Sequence, residues 1–219
     1  MSEQNEPNDV IPAGLHHALL YGMLNFIQAA LEAAKVNFWL EGGSLLGCMR
    51  DKCIIPHDDD IDLAVESRDY TKALNALRAM CNAGCFLKTE TSDGKITEYK
   101  VHFESLPHML KVFIPGLWAE NKEKGEIIGT PTIDVFSYTR ANDVLKLTHI
   151  AQRKQFPNCY YKKSELYPLI KRQFGEMQFY TPNEPMGYLN RYYGNDCMFV
   201  IKKDKRDVNN PMNKERGTI

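Results

Sequence analysis

Four aspartates stand within five positions, Asp58, Asp59, Asp60 and Asp62, in a stretch whose neighbours Ile54, Ile55, Ile61, Leu63 and Val65 are apolar. That combination constrains the fold more than any other feature, because it puts crowded charge at the edge of a core strand. Side chains alternate across an extended strand, so Asp58, Asp60 and Asp62 project from one side, with bases roughly 7 Å apart. Their oxygens can converge on one cation, or on two about 4 Å apart as in two-metal phosphoryl transfer. Hard oxygen donors select Mg2+ or Mn2+ over softer metals. The competing reading is a solvated acidic turn, the commoner fate of such a run. A further acid, Asp134, lies between Ile133 and Val135, where an unpaired charge is costly to bury. A shared metal accounts for both groups, whereas an ion pair with a lysine accounts for Asp134 alone.

Around this run the apolar pattern predicts an order of elements. Apolar residues at 15, 19, 20, 23, 24, 27, 31 and 34 have helical spacing. Phe38-Trp39-Leu40 reads as a buried strand, and Gly42-Gly43-Ser44 breaks it, with Ser44 capping a short helix to Arg50. Ile61 to Val65 continues as a strand. Ser67 caps a helix over Tyr70 to Asn82 whose core face holds Ala73, Leu74, Leu77 and Met80. Two strands flank Ser92-Asp93-Gly94 as a hairpin, the second presenting Lys100 and His102 on its polar face. Strands follow over 110–114 and 132–138, separated by a charged loop from Pro115 to Gly129. The remainder reads as helical and loop-rich. The expectation is an α+β fold with a mixed sheet flanked by helices, made of a disordered arm over 1–14, one domain over 15–200 and a polar tail over 201–219.

Basic and acidic residues number 27 and 28, so no global field would hold a nucleic-acid backbone or an anionic membrane. No apolar run is long enough to span a bilayer, and the first residues lack the basic and apolar regions of a signal peptide. Six cysteines without a CxxC pair point to reduced thiols, and the expected location is the cytoplasm. The Gly42-Gly43-Ser44 turn offers backbone amides to a phosphate, or is only a tight turn. Arg50 either neutralises phosphate charge or faces solvent. Lys100 and His102 are similarly open, and His57 either touches substrate or hydrogen-bonds the carboxylates beside it. Arg153, Lys154, Lys162 and Lys163 either shape a pocket or form exposed surface.

Glu41-Gly42-Gly43-Ser44-Leu45-Leu46-Gly47, Arg50, Ile55-Pro56 and Asp58-Asp59-Asp60-Ile61-Asp62, followed by Asp134, resemble the LicD family of the nucleotidyltransferase-fold superfamily. Leu166-Tyr167-Pro168-Leu169, Phe174-Gly175, Tyr180-Thr181-Pro182-Asn183 and Tyr188-Leu189 through Tyr192-Tyr193-Gly194 are similar to its closing motif, so the likeness spans roughly 36–200. His57 stands where an aromatic residue is frequent in that family. The resemblance implies transfer of a phospho-alcohol, such as phosphocholine or ribitol phosphate, from a CDP-linked donor to a sugar or glycan hydroxyl. It implies that Asp60 and Asp62 hold Mg2+ or Mn2+, that Asp58 assists, and that Asp134 completes the site as ligand or base. Two alternatives stand beside it: nucleotidyl transfer from an NTP to a small molecule or protein, and a catalytically silent nucleotide-binding module.

Overall fold

A computed structural model describes residues 9–90, 94–121 and 126–199. In chain order the elements begin with β1 (Asp9–Pro12), α1 (Ala13–Ala33), β2 (Phe38–Leu40), α2 (Gly42–Arg50), β3 (Asp60–Glu66) and α3 (Tyr70–Asn82). Then come β4 (Phe86–Glu90), β5 (Ile96–Lys100), β6 (His102–Ser105), β7 (Met109–Phe113), β8 (Leu117–Asn121), β9 (Glu126–Gly129) and β10 (Thr132–Ala141). The last are β11 (Val144–Leu147), α4 (Ile150–Gln155), β12 (Tyr160–Lys162), α5 (Lys163–Leu166), β13 (Ile170–Phe174), β14 (Met177–Thr181) and α6 (Pro185–Tyr193). The architecture is α+β with a mixed sheet, as the sequence predicts. Where one domain over 15–200 is expected, contacts group the chain into two compact units. The described residues of one fall within Met1–Asn37, Asp58–Ile61 and Thr71–Val135, and those of the other within Phe38–His57, Asp62–Tyr70 and Phe136–Ile219.

In the first unit α1 buries Leu19, Leu20, Met23, Leu24, Ile27 and Leu31 along one face, the stripe its 3.6-residue period dictates. It closes where Lys35 turns into the left-handed region (φ 54°), and the Val36 N–H donates back to the Leu31 carbonyl at 3.0 Å. The helix packs on β1, β4 and β8. Strand β1 runs parallel to β8, which pairs antiparallel with β9. Strands β4 and β5 form the expected hairpin, with Phe86 opposite Lys100. Strands β6 and β7 pair antiparallel, and β7 pairs in turn with β10.

Strands β12, β11, β10, β3 and β2 neighbour one another in that order. Strand β2 lies antiparallel to β3 with Leu40 opposite Leu63, and the β13–β14 hairpin packs on β2. There Phe38 meets Phe179 edge to face, with ring centroids 5.4 Å apart. Helix α2 packs on β13 and α6, and α4 on β11.

Three expectations are corrected. The arm over 1–14 is ordered from Asp9, because β1 pairs its backbone with β8. The described residues between Pro115 and Gly129, expected to be a loop, include β8 and β9, which are held by backbone pairing with β1 and with each other. The C-terminal part, expected to be mainly helical and loop-rich, also carries β11, β12, β13 and β14. The tail over 201–219 lies outside the described residues.

Helix α3 spans the residues the sequence predicts, but its core face is narrower. Leu77 is fully buried while Leu74 is only half-buried. Leu77→Ala should therefore cost about 2–5 kcal/mol in urea unfolding, and Leu74→Ala clearly less. Equal losses at the two positions would contradict this packing.

Candidate functional site

Strand β3 starts at Asp60, and the residues before it approach without regular structure. One oxygen from each of Asp58, Asp59 and Asp60 lies within 4.8 Å of the others, a spacing a single cation can span. Asp58 is buried, whereas Asp59 and Asp60 are half-buried. Asp59, which the predicted set Asp58, Asp60 and Asp62 leaves out, stands in this cluster. Asp62 follows Asp60 by two residues along β3, half-buried like it, with Ile61 fully buried between them.

Two histidines of α1 brace this approach. The Asp59 carbonyl accepts a hydrogen bond from His16 Nε2 at 2.8 Å, and the Asp58 carbonyl from His17 Nε2 at 2.9 Å. A carbonyl can only accept, so each ring carries its proton on Nε2. Burial lowers the His16 pKa, favouring the neutral ring. Gly129 faces Asp59 so closely that an added Cβ would collide with its carboxylate. Asp134, on β10, forms an ion pair with Lys111 of β7 at 3.4 Å. The lysine partner weighed from the sequence as the alternative to a metal is thus present at Asp134.

In the second unit the turn at the start of α2 is tied to β3. The Glu41 N–H donates to the Asp62 carbonyl at 2.9 Å, and the Asp62 N–H donates to Ser44 Oγ at 2.9 Å. Ser44 is therefore not the cap of α2, as expected, but a buried acceptor inside the helix for the strand's amide. Gly42 holds φ at +51°, and a Cβ there would stand 2.8 Å from Asp62 Oδ2. Tyr193 places its hydroxyl 3.7 Å from the same point. The close approach needs a residue without a side chain.

Glu41 itself occupies the N-cap position but makes no side-chain cap bond. Its carboxylate is fully enclosed and accepts from Tyr138 (2.5 Å) and Tyr188 (2.6 Å) on Oε1 and from Tyr161 (2.6 Å) on Oε2. The Cys159 thiol adds a contact at 3.3 Å. Burial pushes the Glu41 carboxyl up, against the four donors that pull it down. Tyr161 and Tyr188 stack with centroids 4.3 Å apart, and Trp39 meets Tyr161 edge-on at 5.9 Å.

The remaining predicted residues divide. Arg50 is engaged by its neighbour, Nη2 to Asp51 Oδ2 at 2.7 Å, with its side chain only 10% exposed. His57 is half-buried in the turn before Asp58. Lys100 is exposed at the end of β5, and His102 is half-buried against Phe113, with centroids 5.9 Å apart. Arg153, Lys154, Lys162 and Lys163 are exposed, which fits surface rather than pocket. Sequence reasoning missed His16, His17, Lys111 and the tyrosine cage. The one available signal was two adjacent histidines interrupting an otherwise apolar helix.

Comparison with known proteins now adds to this geometry. The family model described as LicD/FKTN/FKRP, nucleotidyltransferase domain, matches residues 35–184. The stretch from Tyr188 to Gly194, resembling the family's closing motif, falls beyond that match. An uncharacterized protein of Rickettsia typhi is 28% identical over 174 residues, covering 80% of this chain and 45% of its own length. Human ribitol 5-phosphate transferase FKRP is 52% identical over 44 residues, 20% of this chain and 9% of that protein. The lipopolysaccharide cholinephosphotransferase LicD of Haemophilus influenzae is 38% identical over 50 residues, 23% and 19% of the two chains. This chain spans about half the length of the Rickettsia relatives it matches, 45% in one and 53% in another.

Gly42→Ala should lower stability by about 1–3 kcal/mol, since alanine must adopt a left-handed backbone against a carboxylate. Gly14→Ala, in α1 with nothing within 4 Å of the added carbon, should be neutral or stabilising by up to about 1 kcal/mol. Thermal unfolding of the two variants checks the contrast, and wild-type stability for Gly42→Ala would remove the constraint.

Proposed function

The chain belongs to the LicD/FKTN/FKRP nucleotidyltransferase-domain family, and on that basis we propose that it transfers a phospho-alcohol from a CDP-linked donor to a sugar or glycan hydroxyl. The observation that carries the reading is the acidic cluster of Asp58, Asp59 and Asp60 running into Asp62 on a buried strand. Two relatives named for ribitol phosphate and choline phosphate transfer support a phospho-alcohol as the group moved.

The donor set of carboxylate oxygens suits Mg2+ or Mn2+. Asp60 and Asp62 would hold the ion, with Asp58 and Asp59 contributing charge, and Asp134 is a further candidate. When bound, such a cation neutralises charge on the phosphate oxygens and lowers the cost of the transition state. The protein's own part is positioning, which dominates phosphoryl transfer. In this reading the amides at the start of α2 would receive a phosphate at the positive end of the helix dipole. In the reaction the acceptor oxygen bonds to the distal phosphorus, the bond from that phosphorus to the bridging oxygen breaks, and CMP leaves. The hydroxyl proton needs an acceptor. Asp134 is the candidate base, with Lys111 balancing its charge at 3.4 Å.

The family's nucleotidyltransferase description also supports a second reading, in which attack at the α phosphate of an NTP releases pyrophosphate. The proposed setting is the cytoplasm, where six free cysteines stay reduced. Among the described residues no helix is long and apolar enough to cross a membrane. Cell fractionation against a cytosolic marker tests that setting, and recovery in the membrane fraction would overturn it.

Incubation of the chain with labelled CDP-ribitol or CDP-choline, a sugar acceptor and Mg2+ should yield CMP and alcohol phosphate on the acceptor. Chelation should abolish turnover, and Asp62→Asn should lower it by at least about a hundredfold. That variant keeps both backbone hydrogen bonds of Asp62, so its thermal unfolding should stay near wild type. Pyrophosphate from an NTP, with no CMP from either donor, would replace this reading by the second.

A further inference from the structure

An acid at the N-cap of a helix ordinarily turns back to accept from the first free amides. Glu41 does not. It has extended backbone angles (φ −119°, ψ 163°), caps nothing with its side chain, and sends its carboxylate into a fully buried cage. The cage is drawn from three separate elements: Tyr138 from β10, Tyr161 from β12 and Tyr188 from α6. All three hydroxyls end on one carboxylate, and the rings pack on one another and on Trp39. A buried acid with four donors is costly to assemble and stiff once assembled, since every donor must stay in place to offset its desolvation.

The backbone of the same residue faces the opposite way. Its N–H holds the Asp62 carbonyl, and the next residue, Gly42, is the one in left-handed conformation against the Asp62 carboxylate. One residue thus joins a buried, hydrogen-bonded side-chain anchor to the turn and the strand acid. The cage also keeps the carboxylate off the first amides of α2, where its charge and oxygens would compete with a phosphate.

We propose that Glu41 is a positioning residue: its caged carboxylate sets the Gly42-Gly43-Ser44 turn against Asp62 and keeps the helix start open to the donor's phosphate. The phosphate half of this inference rests on the function proposed above. The positioning half does not.

Glu41→Gln preserves size but puts a donating amide where one tyrosine hydroxyl now donates. Tyr161→Phe removes that hydroxyl alone and leaves Glu41 intact, so it serves if the first variant does not fold. Hydrogen exchange on the full chain without ligand should show amides of 42–47 and of Asp62 exchanging at least about tenfold faster in either variant. The β13–β14 hairpin should keep its wild-type protection. Binding of CMP with Mg2+ should weaken by about tenfold over wild type. Unchanged exchange in the turn, or acceleration spread equally to the hairpin, would overturn the positioning role. Wild-type CMP affinity in a variant whose turn has loosened would overturn the phosphate half. Wild-type chain that fails to bind CMP at all would sink the donor assignment, while the exchange pattern alone still decides whether Glu41 positions the turn.

Discussion

Both backbone hydrogen-bonding groups of Asp62 are committed to one turn, its carbonyl to the Glu41 N–H and its N–H to Ser44 Oγ. A strand residue would ordinarily give these groups to a neighbouring strand. Here β2 ends at Leu40, opposite Leu63, and the turn takes over the next position of the ladder. The helix start and the strand acid are consequently held at hydrogen-bond length from each other through the peptide of the acid, which is thereby fixed. Gly42 is the stereochemical condition for it, because any larger residue would fill the space beside Oδ2.

The acids before β3 meet a different constraint. Three carboxylates within 4.8 Å repel unless something compensates them. His16 and His17 take the carbonyls of Asp59 and Asp58 and so hold the backbone that carries these side chains. In that cluster a cation would relieve the repulsion of three neighbouring carboxylates. At Asp134, Lys111 stands 3.4 Å away and offsets the charge directly.

Local elements were legible wherever one face is buried and the period is clear. Helix α3 and strand β2 occupy the predicted residues, and β3 begins one residue early at Asp60. Strands β8, β9 and the C-terminal hairpins were not legible, because a strand stabilised by backbone pairing leaves no necessary side-chain pattern. The same limit applied to β1. At the site, residue types and order were readable. Asp59 was not, since strand alternation assigned it to the opposite face, whereas β3 begins only at Asp60. Ser44 was read as a cap because serine at a helix start usually is one. Its actual partner, the amide of Asp62, lies 18 residues away.

What the sequence by itself determined is the chemistry available: an acidic run beside an apolar strand, a glycine pair before a helix, and an order of motifs shared with one family. These follow from residue type and short spacing, which act over a few bonds. Only the tertiary structure decided the partners. It gave Lys111 to Asp134, the α1 histidines to the carbonyls of Asp58 and Asp59, and three tyrosines to Glu41. Tyr138, Tyr161 and Tyr188 are separated from Glu41 by 97, 120 and 147 positions. No periodicity carries that information, because the pairing arises from the desolvation of one carboxylate that must be satisfied by whichever donors the packed core brings to it.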